Sequence, residues 1–308
     1  MIKRDMVVIG ASAGGLAALQ VLVRSFQPDL AAAIFVVLHV RPQEPSLLPH
    51  VLRTRTLLPV EHARDGETIR TGRVYVAPPD RHLVIESGHL HLSVGPKENR
   101  TRPAINPLFR SAALAYGPRV IGVILSGTLD DGTAGLWEIK RRGGVAVAQL
   151  PGDAMYEDMP SSAITHVHVD YQVPVTEMGS LLNSLVGGVS EAAGGDVEAV
   201  MSEKTRLTCP DCHGPIERLK FGPLTEYKCR VGHTYSPGSM LAAHEDAEER
   251  VLWSAIESLE EGADLADELD GNLVQERRFS LRGNAKAKRS LAKAIRRAVE
   301  TAKVEPPD

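Results

Sequence analysis

Residues 7–19 read VVIGASAGGLAAL: an apolar run too short for a helix, a knot of small residues around one serine, then apolar positions at helical spacing. A strand apolar on both faces belongs in a sheet covered on two sides, and a tight turn straight into a helix begins a crossover to a parallel neighbour. That opening commits the chain to an α/β architecture. Buried-type strands are expected at 6–10, 33–40, 73–77, 120–126 and 144–148, each an apolar or β-branched run bounded by Gly, Pro or charge. Helical patterns lie between several of them: Leu16, Leu19, Val23 and Phe26 recur at three- and four-residue steps, and 107–116 and 135–142 also read as helices. The alternation predicts a doubly wound, mostly parallel sheet. Around Ser87-Gly88 the segment HLVIESGHLHLSV alternates in twos, which predicts an inserted β-hairpin.

The chain has 308 residues, enough for a large domain and an appendage. We divide it into a catalytic-type domain at 1–187, a Gly-rich acidic linker at 188–206, a Cys/His module at 207–239 and a helical tail at 240–308. A formal net charge of −4 argues against a nucleic-acid partner. No stretch is apolar for long enough to enter a membrane, and a signal peptide's regions are missing from the N-terminus, so the expected location is the cytoplasm.

The knot has two chemical readings. A Gly-rich turn at a helix N-terminus offers N–H groups to a phosphate, but a dinucleotide site also wants an acidic residue about 20 positions on. The following strand, AAIFVVLHV, ends in His39 instead, which weighs against a nucleotide-binding oxidoreductase. Gly10-Ala11-Ser12-Ala13-Gly14 also satisfies G-x-S-x-G, where small neighbours let a serine hydroxyl stand clear of a strand-to-helix turn. In an open parallel sheet the reactive crevice lies at the carboxyl ends of the strands. Ser12 follows the first strand, His39 ends the second, and Asp130 and Asp131 follow VIGVILSGT. An imidazole can take the serine proton while a carboxylate fixes its orientation. The order Ser, His, acid excludes the α/β-hydrolase scaffold, which runs Ser, acid, His. Either aspartate also suits the N-terminus of the helix GTAGLWEIKRR. His82, His89 and His91 fall on or beside the hairpin, and His166 and His168 are expected on a late strand.

These residues carry a resemblance. VVIGASAGGLAALQ, FVVLHVRP, YVAPPDRHL, NRTRPAINPLF, GVILSGTLDDGTAGL and AVAQLPGDAMYEDMPSSAI occur in order and resemble the catalytic domain of the CheB protein-glutamate methylesterases, over residues 4–187. The resemblance implies a cytoplasmic serine esterase of chemosensory signalling. Its activity would be hydrolysis of methyl-glutamate on chemoreceptor helices and deamidation of certain glutamines, with no catalytic cofactor. It makes Ser12 the nucleophile, His39 the base and acid, Asp131 the orienting carboxylate, the N–H groups near Ala13 and Thr128 the oxyanion hole, and Arg102 a rim arginine for an anionic receptor helix. Two departures stand out: Leu129-Asp130 replaces the family's usual Gly-Asn, and the catalytic strand begins without the familiar receiver domain, so phosphorylation-driven release is not expected within this chain. A non-catalytic adaptor docking receptors through the same domain is the alternative.

Cys209, Cys212, Cys229 and His233 stand in a C-x2-C-x16-C-x3-H arrangement, as ligands of a structural zinc ion in a ribbon-like module, with His213 as competitor. A similar segment accompanies some receiver-less esterases of the family. Downstream, Leu252, Ile256, Leu259, Ala263 and Ala266 keep a seam spacing amid acidic residues, while the last helix is basic. The two are expected to fold back on each other or to pair between chains as a self-association surface; the alternative is a solvated amphipathic helix followed by a frayed basic tail.

Overall fold

Six consecutive buried residues, Met6–Ala11, form the strand around which the sheet is laid. The computed structural model describes residues 2–42, 45–190, 200–270 and 275–302. The chain runs through β1 (Ile2–Lys3), β2 (Met6–Ala11), α1 (Gly15–Arg24), β3 (Ala33–Leu38), α2 (Leu48–Arg53), β4 (Val60–His62) and β5 (Arg73–Val76). A hairpin of β6 (His82–Glu86) and β7 (His89–Ser93) follows, then α3 (Ile105–Tyr116), β8 (Val120–Ile124), α4 (Thr133–Arg141) and β9 (Val145–Gln149). The domain continues through α5 (Asp158–His166), β10 (Tyr171–Val173), α6 (Val175–Leu185) and β11 (Val189–Ser190). The Cys/His region supplies β12 (Met201–Thr208), β13 (Pro215–Phe221), β14 (Leu224–Cys229) and β15 (Thr234–Tyr235), and the tail α7 (Pro237–Asp270) and α8 (Gln275–Ala302).

Seven parallel strands lie in the order β10-β9-β8-β2-β3-β5-β4. The chain winds outward from β2 toward β3 on one side and later toward β8 on the other, so the crevice at a reversal of strand order opens over the end of β2. Alternate residues of β2 feed two cores. Val7, Ile9 and Ala11 pack with α1 and α6, and Met6 and Val8 pack with α3, α4 and the hairpin. All-apolar strands are needed because both faces are covered.

Edge elements differ from the reading of the sequence. β4 and β10 are three-residue strands too short to show a pattern, and α2, α5 and α6 were not anticipated. His166 ends α5 rather than sitting on a strand, its Nδ1 against the Ser162 carbonyl at 2.9 Å. The middle of the expected linker, 191–199, lies outside the described residues, while 201–206 belong to β12, a strand exposed at nearly every position. With both faces in solvent, β12 carries no apolar alternation to distinguish it from a linker.

Contacts divide the chain into Met1–Met240 and Leu241–Asp308. The Cys/His strands therefore group with the α/β domain. Within the first unit Trp137 packs against Phe221 at 5.5 Å between rings, and Arg110 of α3 bonds Glu226 of β14 at 3.2 Å. Within the second, α8 runs back along α7: Arg296 meets Glu260 at 3.0 Å and Arg289 meets Asp264 at 2.7 Å over buried Ala263, Ala266 and Ala285. This is the fold-back arrangement; exposed pairs add little energy, so the small-residue seam sets the approach. Among the described residues no helix is long and apolar enough to cross a membrane.

Candidate active site

Strand register brings the first two candidate residues together. Ala11 pairs with Leu38, and the His39 N–H donates to the Ala11 carbonyl at 3.1 Å, so Ser12 and His39 each stand one step past a paired position. His39 Nδ1 lies 3.1 Å from Ser12 Oγ. On the opposite side, the Ser12 N–H donates to the Ser126 carbonyl at 2.9 Å, tying the turn to the continuation of β8. Gly14 then takes a left-handed φ of 71° to start α1, a conformation that a side chain would strain.

Asp131 completes the line. His39 Nε2 lies 2.8 Å from Asp131 Oδ2. An ionised carboxylate only accepts, so Nε2 carries the hydrogen and Nδ1 turns its lone pair to the serine hydroxyl. Asp131 also accepts from the backbone N–H groups of Ile105 (2.6 Å), Gly132 (2.9 Å) and Asn106 (3.3 Å) and from the Asn99 amide (2.8 Å). Burial pushes this carboxyl up, but the His39 bond and charge, the Ile105 N–H and the Asn99 amide outweigh it, and it is held below the ordinary carboxylate range.

The loop after β8 closes on the serine by close approach. A Cβ on Gly127 would stand 2.8 Å from the Ser12 Cβ and 2.1 Å from Met159 Sδ, so glycine alone lets the loop after β8 reach the serine. Among the described residues, the N–H groups of Ala13 and Thr128 on either side of this contact have no acceptor. Leu129, where the family resemblance has glycine, takes a left-handed φ of 62°. A left-handed L-residue costs roughly 1–2 kcal/mol. Leu129 is only half-buried, so Leu129→Gly should raise the melting temperature by about 2 °C in calorimetry.

The Asp130 side chain does not cap the helix that follows it. α4 begins at Gly132 without a side-chain cap, whereas the Asp130 carboxylate accepts from Ser236 Oγ and from Ser239 Oγ (3.4 Å) at the start of α7. Burial raises the Asp130 carboxyl above its ordinary value, with neighbouring Asp131 adding to the rise against those bonds. The Arg102 guanidinium bonds Asp80 Oδ1 at 2.7 and 2.9 Å and the carbonyls of Val94 (2.9 Å) and Gly95 (2.6 Å), so most of its donors are engaged within the first unit. His82 is buried between the Pro96 carbonyl and the Ala104 N–H, and burial lowers its pKa, as suits a neutral structural imidazole.

A second cluster lies in the appended strands. The ligand atoms of Cys209, Cys212, Cys229 and His233 fall within 4.8 Å of one another. Cys212 Sγ is 3.7 Å from Cys229 Sγ, and His233 Nδ1 is 3.5 Å from Cys229 Sγ and 3.7 Å from Cys209 Sγ. A tetrahedron with bonds of about 2.3 Å to sulfur and about 2.0 Å to nitrogen has edges of about 3.8 Å and about 3.5 Å, so the donor set fits such an ion. His213 is not a member of the cluster.

Residues 7–182, more than half of the chain, match the family profile of the CheB methylesterase. The chain belongs to the CheB methylesterase family. Its sheet is similar to the crystal structure of the Thermotoga maritima CheB methylesterase catalytic domain, with a TM-score of 0.57 and 33% identity over 60% of this chain and all of that one. A Methanosarcina mazei relative named protein-glutamate methylesterase/protein-glutamine glutaminase 2 is 36% identical over 191 residues, covering 59% of this chain and 52% of its own. A putative protein of the same name from Leptospira interrogans is 36% identical over 178 residues, covering 58% of this chain and 92% of its own. The chain thus spans about half the length of several of the relatives it matches. The CheB match ends before the Cys/His strands. Asn99, Ser126 and Ser236, all engaged around the site, carry no local pattern that marks them in the sequence.

Proposed function

We propose that the chain is a serine hydrolase that demethylates glutamate methyl esters on the cytoplasmic helices of methyl-accepting chemoreceptors and deamidates glutamines in the same setting. The Ser12–His39–Asp131 line at the strand ends carries this reading. The Ser12 hydroxyl attacks the ester carbonyl as His39 Nδ1 takes its proton. Asp131 holds the resulting imidazolium through Nε2–H. The N–H groups of Ala13 and Thr128 receive the oxyanion. His39 returns its proton to the departing methoxide, methanol leaves, and the glutamyl group remains as an ester of Ser12. Water then attacks that ester with His39 again as base, releasing the glutamate carboxylate and the free serine. For a glutamine the leaving group is ammonia. The test is methanol release from methylated receptor; a purified chain that releases none, while its Ser12 reacts with a fluorophosphonate, would sink the substrate assignment.

Cys209, Cys212, Cys229 and His233 would hold zinc as a closed structural ion, with no part in the chemistry. One zinc per chain is expected by atomic absorption. Cys212→Ser should drop the stoichiometry below about half and lower the melting temperature, because ion binding and folding of such a module are coupled.

A further inference from the structure

Asn99 is buried, with a left-handed φ of 47°, and joins two parts of the first unit. Its amide donates to Asp131 Oδ1 at 2.8 Å, and its Oδ1 accepts the Ser236 N–H at 2.8 Å. The amide cannot be turned over, since a carboxylate faces one end and an N–H the other. The Asn99 N–H itself donates to the Thr234 carbonyl at 2.8 Å, and the Thr234 N–H donates to the Lys97 carbonyl at 3.3 Å.

Thr234 follows His233 directly. Cys229 and His233 close a tight knuckle in which the Cys229 N–H meets the His233 carbonyl at 3.0 Å and the Gly232 N–H meets the Cys229 carbonyl at 3.0 Å. The chain leaving that knuckle is the strap that Asn99 holds. The strap is fastened a second time where Asp130, next to Asp131, accepts from Ser236 and Ser239. The ligand cluster and the triad carboxylate are therefore linked through four residues, His233, Thr234, Ser236 and Asn99.

We propose that metal occupancy of the Cys/His cluster sets the activity of the triad, with Asn99 as the positioning residue that transmits it. A filled cluster fixes the knuckle, the knuckle presents the 234–236 strap, and the strap holds the Asn99 amide against Asp131 so that the carboxylate keeps the line to His39. An empty cluster frees the strap, and Asp131 loses its one uncharged side-chain donor. The proposal rests on the serine-hydrolase reading of Ser12.

The test uses the full chain, loaded with zinc, stripped by a chelator and reloaded. Three quantities are read: the rate of Ser12 modification by a fluorophosphonate, kcat and KM for methanol release, and amide hydrogen exchange over 99–106 and 234–240. Stripping should lower the modification rate and kcat by about ten- to a hundredfold, the value of a hydrogen bond to a charged group, with KM within about twofold and full recovery on reloading. Exchange should rise over both segments and stay unchanged in β2. Asn99→Gly, which suits the left-handed backbone and keeps the N–H to Thr234, should show the same loss with zinc content intact and no further loss on stripping, the non-additivity of one shared path. Equal modification rates in loaded and stripped protein would overturn the proposal, as would a full second loss when Asn99→Gly is stripped. Zinc-dependent modification of Ser12 without methanol release would uphold it and remove only the substrate assignment.

Discussion

Ser12→Ala lowers methanol release from methyl-labelled receptor by roughly five to six orders of magnitude, the scale on which nucleophile removal acts in serine hydrolases. On the proposed mechanism the substitution deletes the only atom that forms the covalent bond to the substrate. It leaves His39 paired with Asp131 at 2.8 Å, and the Ser12 backbone keeps its bond to Ser126. Folding is therefore unaffected, and the melting curve should overlay that of the parent. Loss of the Oγ contact at 3.1 Å frees a half-buried imidazole but strands no buried donor. Release within about tenfold of the parent would remove Ser12 as nucleophile.

Asp131→Asn has two effects that can be measured apart. An amide in place of the carboxylate puts an N–H2 among groups that themselves donate, so either the imidazole and the Ile105 N–H, which share Oδ2, or the Gly132 and Asn106 N–H groups and the Asn99 amide, which share Oδ1, lose an acceptor. On the catalytic side, the imidazole is driven toward the wrong tautomer, and kcat should fall about ten-thousandfold. On the folding side, buried donors left unpaired cost about 1–3 kcal/mol, which a urea midpoint at pH 7 will show. The pH dependence has a definite sign. Asp131 titrates lower in the folded protein than in the unfolded chain, so its contribution to stability is complete above the unfolded value near pH 4 and drains away as pH falls through the folded one. The parent should lose stability below about pH 4 by a component that Asp131→Asn lacks, read as urea midpoints at pH 7, 4 and 3.

The central sheet is legible in the sequence because its strands are apolar at every position, a pattern that burial on two faces requires and that little else produces. Ser12 and His39 are legible for a related reason: both follow directly where such a run stops. The aspartates are different. Local pattern does not separate Asp130 from Asp131; the family resemblance does, and the structure sends Asp131 to His39 and Asp130 to a helix more than 100 residues downstream. Asn99 and Ser236 are illegible because their roles exist only across a distance of 137 positions. The partners of Arg102, Asp80 and two carbonyls, are illegible as well. β12 escapes notice because a solvated strand and a polar linker share one composition.

The serine and the imidazole take their spacing from the ladder between β2 and β3, where Ala11 faces Leu38 and the next residues are Ser12 and His39. Backbone pairing keeps neighbouring strands about 4.8 Å apart whatever side chains they carry. That interval works as a ruler made of peptide groups: it survives exchanges among the apolar residues beneath it, and mutational drift in the core reaches the reacting atoms only after the ladder itself gives way.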